Sequence, residues 1–230
     1  MFFEAVRGII YRGNTMNIDF PHSTLIIVDV QNDFCAGGAL EVKDAEQVID
    51  PLNRLASLFL ARSGRVAATQ DWHPAKHASF ASSHEGKKPG DTVDLLMVKN
   101  QVLWPDHCIQ GSAGAEFHAS LDTKPLSFII RKGFRGFLDS YSAFFENDRK
   151  TPTGLDGFLK ALSIDTVVLG GLATDYCVLY SALDALALGY KTIILKDAVR
   201  GVDIPAGSAE KAIMDLLKAG AAMADSSELQ

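Results

Sequence analysis

Basic side chains are the minority charge in this chain of 230 residues: 22 lysines and arginines stand against 28 acidic residues, and they gather into no cluster. Nucleic acid and anionic lipid both need a cationic track, so neither is expected as a partner; a small neutral or anionic ligand is. Cysteine is scarce as well. Cys35, Cys108 and Cys177 are odd in number, far apart and free of any Cys-x-x-Cys pair, unlike a secreted disulfide framework. A reducing, cytoplasmic setting is expected. Long hydrophobic runs are missing too: the apolar start Met1-Phe2-Phe3 is broken by Glu4 and Arg7, and no stretch has the length of a signal core or a spanning helix. The length suits a single large domain. Met16 stands just before the first strong strand, so residues 1–15 are read as an N-terminal extension, with Met16 as an alternative start, and residues 16–230 as the domain.

What is present is a repeat of short apolar runs: Leu25-Ile26-Ile27-Val28, Val66-Ala67-Ala68, Phe128-Ile129-Ile130, Val167-Val168-Leu169 and Ile193-Ile194-Leu195. Their hydrophobicity is continuous rather than alternating, which predicts strands covered on both faces. Between them, Val48, Ile49, Leu52, Leu55, Ala56, Phe59 and Leu60 form one helical stripe ending before Gly64, with Pro51 in its first turn. Further helices are predicted over residues 174–188, stopped by Gly189, and 208–218, stopped by Gly220. Alternating strands and helices imply an α/β fold, a doubly wound, mostly parallel sheet with helices on both faces in a three-layer sandwich. Residues 72–125 lack such periodicity, and a loop that long inside a compact domain is usually functional.

Polar residues fall at the carboxyl ends of the predicted strands: Asp29 after the first, Asp71 after the second, Lys132 after the third, and residues 170–177 after the fourth. Open parallel sheets bind ligands outside those ends. Cys177 sits in the first turn of the predicted helix, where free N–H groups and the helix dipole favour a thiolate and could hold an oxyanion. An arbitrary free cysteine packs as a small hydrophobe; the position of this one argues for chemistry. Asp29 ends a buried strand, where a carboxylate needs a proton, a cation or a metal. A thiol, a carboxylate and an ammonium together suit nucleophilic amide cleavage, with Asp29 taking the thiol proton and Lys132 supporting charge on both.

Five of the six histidines, His73, His77, His84, His107 and His118, fall in the irregular segment, which Asp71-Trp72-His73 opens. Asp and His two apart in extended chain project to one side and can share a cation, which a distant histidine completes. His107 is the candidate third ligand. His77 is either a fourth ligand or loop support, and His84 and His118 are read as surface histidines.

From Met16 onward the chain resembles the nicotinamidases of the isochorismatase-like cysteine hydrolase superfamily. The segments that carry the likeness are Val28-Asp29-Val30-Gln31-Asn32-Asp33-Phe34-Cys35, Gln70-Asp71-Trp72-His73-Pro74, Trp104-Pro105-Asp106-His107-Cys108, Lys132-Gly133, Asp139-Ser140-Tyr141-Ser142-Ala143-Phe144 and Gly171-Leu172-Ala173-Thr174-Asp175-Tyr176-Cys177-Val178. The resemblance implies a catalytic triad of Asp29, Lys132 and Cys177. It implies metal ligands at Asp71, His73 and His107 for a divalent ion, zinc first, with iron and manganese as alternatives. Phe34, Trp104 and Tyr141 match aromatic positions of a pyridine pocket. Leu172 and Ala173 match a cis peptide, and the N–H groups of Ala173 and Cys177 match an oxyanion site. The implied reaction hydrolyses nicotinamide, and the related pyrazinamide, through a Cys177 thioester in NAD salvage. A homo-oligomer is compatible with all of this. The competing readings are an amidohydrolase of the same fold for another small carbamoyl compound, a silent pyridine or metal binder, and a vinyl-ether hydrolase, which would not need the cysteine.

Overall fold

A computed structural model describes residues 15–230 in full and residues 5–6 and 9–12 by their backbone. The remainder of the N-terminal extension lies outside the described residues. Six strands form one sheet: β1 (Ser23–Val28), β2 (Arg65–Asp71), β3 (Phe128–Lys132), β4 (Thr166–Leu172), β5 (Lys191–Arg200) and β6 (Ala222–Ala224). Their spatial order is β6-β5-β4-β1-β2-β3 and every neighbouring pair is parallel. Helix α1 (Ile49–Ala61) covers one face; α2 (Leu155–Ala161), α3 (Leu179–Ala187) and α4 (Ser208–Ala219) cover the other. Two apolar cores result. Leu52, Leu55, Ala56 and Phe59 of α1 close one, whereas Leu155, Leu159, Ala182, Ala185 and Leu216 close the second. The three-layer α/β sandwich is thus as expected, and no helix among the described residues is long and apolar enough to cross a membrane.

The chain winds outward in both directions from the β1–β4 pair, so the strand order reverses there and leaves a crevice at the carboxyl ends. Register fixes what meets in that crevice. Val28 pairs with Gly171 across β1 and β4, and Asp71 pairs with Lys132 across β2 and β3. Gly171 has φ +120°, and a Cβ there would lie 2.1 Å from the Val28 carbonyl oxygen, so only glycine lets the strands approach.

Two expectations need correction. Strand β3 is an edge, with Ile129 46% exposed, so its hydrophobicity does not reflect cover on both faces. The helix expected from residue 174 opens instead as a wide π turn, Thr174–Val178, because Val178 N–H bonds five residues back to Ala173 O; regular α geometry starts at Leu179. Helix α2 and strand β6 carry too short a pattern to be read from sequence, and were not. Pro51 does fall in the first turn of α1, where its missing N–H costs nothing.

Candidate active site

Lys132 is the hub. Alternation along β3 turns its side chain inward, where it is fully buried, not solvated. Its ammonium lies 2.8 Å from Asp29 Oδ2, 2.5 Å from Asp71 Oδ1, 3.0 Å from the Ser140 carbonyl oxygen and 3.4 Å from Cys177 Sγ. Asp29 stands at φ 48°, and this left-handed turn directly after β1 is one that aspartate tolerates better than most residues. Its Oδ1 accepts from the Thr69 hydroxyl at 2.6 Å. Burial pushes the Asp29 carboxyl up against the opposing pull of Lys132. For Lys132 burial acts downward, but the two carboxylates outweigh it and hold the ammonium charged well above the usual lysine range.

Burial also drives the Cys177 thiol well above its ordinary value, with the charges of Asp29 and Asp71 adding to the effect and Lys132 opposing it. Burial thus opposes the thiolate that the helix start favours, and the thiol lies within hydrogen-bonding reach of Asp29.

Asp71 belongs to two clusters at once. One oxygen meets Lys132; the other lies 3.6 Å from His73 Nε2 and 3.8 Å from His107 Nε2. His73 Nδ1 donates to the Gly133 carbonyl at 2.8 Å and His107 Nδ1 to the Pro105 carbonyl at 2.7 Å, so each ring turns its Nε2 toward the carboxylate. The loop delivers His107 by running alongside His73: His73 N–H bonds Cys108 O, and Gln110 N–H bonds His73 O. Gly133, at φ +63°, is needed here because a Cβ would stand 2.4 Å from the His73 ring.

These residues fit a divalent cation. Their three donor atoms lie within 4.8 Å of one another, near the roughly 3–3.5 Å that ligands about 2.1 Å from one ion would keep. The donor set is one carboxylate and two oriented imidazoles. Two buried carboxylates face one ammonium, leaving an excess negative charge that a cation offsets. His77 is not a further donor, since Nε2 donates to Arg135 O at 2.9 Å and Nδ1 is taken by Ser79 Oγ at 2.7 Å. It supports the loop.

Phe34, Trp104, Tyr141 and Ala173 line a cavity that reaches Cys177, Asp71 and His107. Leu172 does not line it; this residue is fully buried at the end of β4, and its bond to Ala173 is cis as expected. Sequence reading missed four groups. Thr69 and Gln31 are buried polar residues on and beside the apolar strands β2 and β1; Gln31 exchanges two hydrogen bonds with the Asp71 backbone. Asp139 and Tyr176 line the cavity. Polarity within an otherwise apolar strand was a signal available for Thr69 only.

Residues 23–228 match the isochorismatase domain. The chain belongs to the isochorismatase family. It is 46% identical over 205 residues to the nicotinamidase of Escherichia coli, covering 88% of this chain and 94% of that one. A solved nicotinamidase and pyrazinamidase from Acinetobacter baumannii superposes with TM-score 0.86 at 48% identity, covering 90% of this chain and 98% of the other. The pyrazinamidase of Pyrococcus horikoshii, solved in complex with zinc, has TM-score 0.72 and 31% identity over 89% of this chain and 99% of its own. Within this family, the side chains of the present cavity can be read as a working site.

Proposed function

We propose that this protein is a nicotinamidase that hydrolyses nicotinamide to nicotinate and ammonia, and pyrazinamide likewise. The observation that carries the reading is the single carboxylate of Asp71, which joins the Cys177–Lys132–Asp29 group to a two-histidine donor set at one aromatic cavity. The relatives named above act on the same class of compound. Phe34, Trp104 and Tyr141 present ring faces and edges suited to a flat heteroaromatic.

Cys177 Sγ attacks the carboxamide carbon while its proton passes to Asp29. Lys132, 3.4 Å away, stabilises the negative charge as it forms on sulfur. The N–H groups of Ala173 and Cys177 hold the oxyanion. Collapse of the tetrahedral species breaks the C–N bond, and Asp29 returns the proton to the departing nitrogen, releasing ammonia and leaving a thioester. Water then attacks the thioester carbon, Asp29 takes its proton, and the proton returns to Cys177 as nicotinate leaves. A divalent cation held by Asp71, His73 and His107 would supply Lewis-acid charge to bind the pyridine nitrogen and acidify water.

The test is release of ammonia and nicotinate by purified protein, with and without chelator, followed by return of zinc, manganese or iron. Activity lost to chelator and restored by metal is expected. His73→Ala or His107→Ala should lower bound metal and turnover together, whereas His84→Ala does neither. Absence of nicotinate under every metal condition sinks the reading.

A further inference from the structure

Tyr141 is gripped at both ends. Its N–H donates to Asn147 Oδ1 at 2.9 Å, and its hydroxyl oxygen accepts from Trp104 Nε1 and from Gln101 Nε2, both at 3.0 Å. Asn147 Nδ2 donates in turn to Gln101 Oε1 at 3.0 Å, which closes a ring of side chains around Tyr141. Gln101 is 2% exposed and also faces Asp139 Oδ2 at 3.2 Å and the Val102 carbonyl at 2.9 Å. Those are acceptors only, so the amide nitrogen must be the end that points at them and at Tyr141.

Trp104 Nε1 and Gln101 Nε2 both meet the phenol oxygen as donors, with Gln101 sharing its two hydrogens among three acceptors, Tyr141, Asp139 and Val102. The hydroxyl proton is what remains. Among the described residues no hydrogen bond from it is found, and Asp139 already takes the Ser140 N–H on Oδ1 and Gln101 on Oδ2. Burial, and then the charge of Asp139, hold the phenol well above its ordinary range, so it stays a donor. Tyr141 lines the cavity that holds Cys177.

We propose that Gln101 is a positioning residue for substrate: together with Trp104 it turns N–H donors on the Tyr141 oxygen and so leaves the Tyr141 O–H to the cavity as a donor to the bound carboxamide. The inference rests on the amidase reading above. It reaches beyond it by giving a role to a residue that touches neither the nucleophile nor the metal ligands. Gln101 selects for a ligand with an acceptor facing Tyr141, and it acts only through that hydroxyl.

The experiment is a double-mutant cycle of Gln101→Met and Tyr141→Phe on the metal-loaded protein, with KM and kcat for nicotinamide. Loss of one hydrogen bond to substrate should raise KM about three- to tenfold in either single variant, with kcat within about twofold. The double variant should be no worse than Tyr141→Phe alone. An unchanged KM in Gln101→Met, or multiplying effects in the double variant, overturns the proposal. Gln101→Glu offers an acceptor in place of the donor and draws the Tyr141 proton away from the cavity, so it should raise KM as well; it serves if the methionine variant does not fold. The indole N–H resonance of Trp104 reads the network without turnover. It should move in Gln101→Met, and an unmoved resonance overturns the proposal even in a protein that releases no nicotinate, a result that would sink only the amidase reading.

Discussion

Replacing Gly133 by alanine should damage the metal site without replacing a ligand. The backbone there has φ +63°, and a Cβ would lie 2.4 Å from His73 Cε1 and 2.7 Å from His73 Nδ1. Two costs follow. The left-handed conformation charges alanine about 1–2 kcal/mol, which for a chain of this size corresponds to about 2–8 °C in Tm. The contact is separate: the His73 ring must move, which breaks its 2.8 Å hydrogen bond to Gly133 O and turns Nε2 away from Asp71. Losing such support to a ligating histidine typically weakens metal binding about 10- to 100-fold, or ~1.4–2.7 kcal/mol. Zinc affinity would be measured by chelator competition, beside thermal melting. Two neighbours separate the effects. Gly154 also has positive φ, at +103°, but its Cβ would meet nothing within 4 Å, so Gly154→Ala should lower Tm and keep zinc affinity. Gly136→Ala meets only Pro74 Cγ at 3.7 Å and should do neither. Wild-type zinc affinity in Gly133→Ala, or equal loss in Gly154→Ala, would refute the geometry.

Cys177→Ala should abolish nicotinate release with metal content and melting retained, while Cys35→Ala and Cys108→Ala keep substantial activity; equal loss in all three would make the cysteines structural. Lys132→Met removes the cation opposing the high Cys177 pKa, so iodoacetamide should alkylate Cys177 more slowly at a given pH in a Cys35→Ala, Cys108→Ala background. An unchanged rate with full activity would put Lys132 outside the site. For Asp71, burial acts upward, but Lys132 and then His73 outweigh it and hold the carboxyl well below its ordinary 3.8. Its contribution to stability is therefore complete above that value and is lost as pH falls through the folded one. Urea unfolding of Asp71→Asn between neutral pH and pH 3 should show a shallower loss in acid than wild type, and a parallel loss counts against the ion pair.

Apolar runs of strand length and their helical spacers sufficed for the sandwich, because burial on both faces of a parallel sheet leaves a one-dimensional mark. The same holds for Asp29, Asp71, Lys132 and Cys177: each ends a strand or opens a helix, and a parallel sheet puts all such ends on one side. His107 was legible as a type of residue in the right loop, but its approach depends on the pairing of residues 107–110 beside His73. Tertiary structure alone decided the rest. The Asp71–Lys132 register lets one carboxylate serve both clusters, and the depth of Cys177 sets burial against its thiolate. Gln101 came into play only because its neighbours in space, Asp139, Tyr141 and Asn147, lie 38 to 46 residues away in the chain. Local sequence records what a residue is and which face it prefers. Desolvation and hydrogen-bond saturation depend on everything packed around it, which chain order does not encode locally.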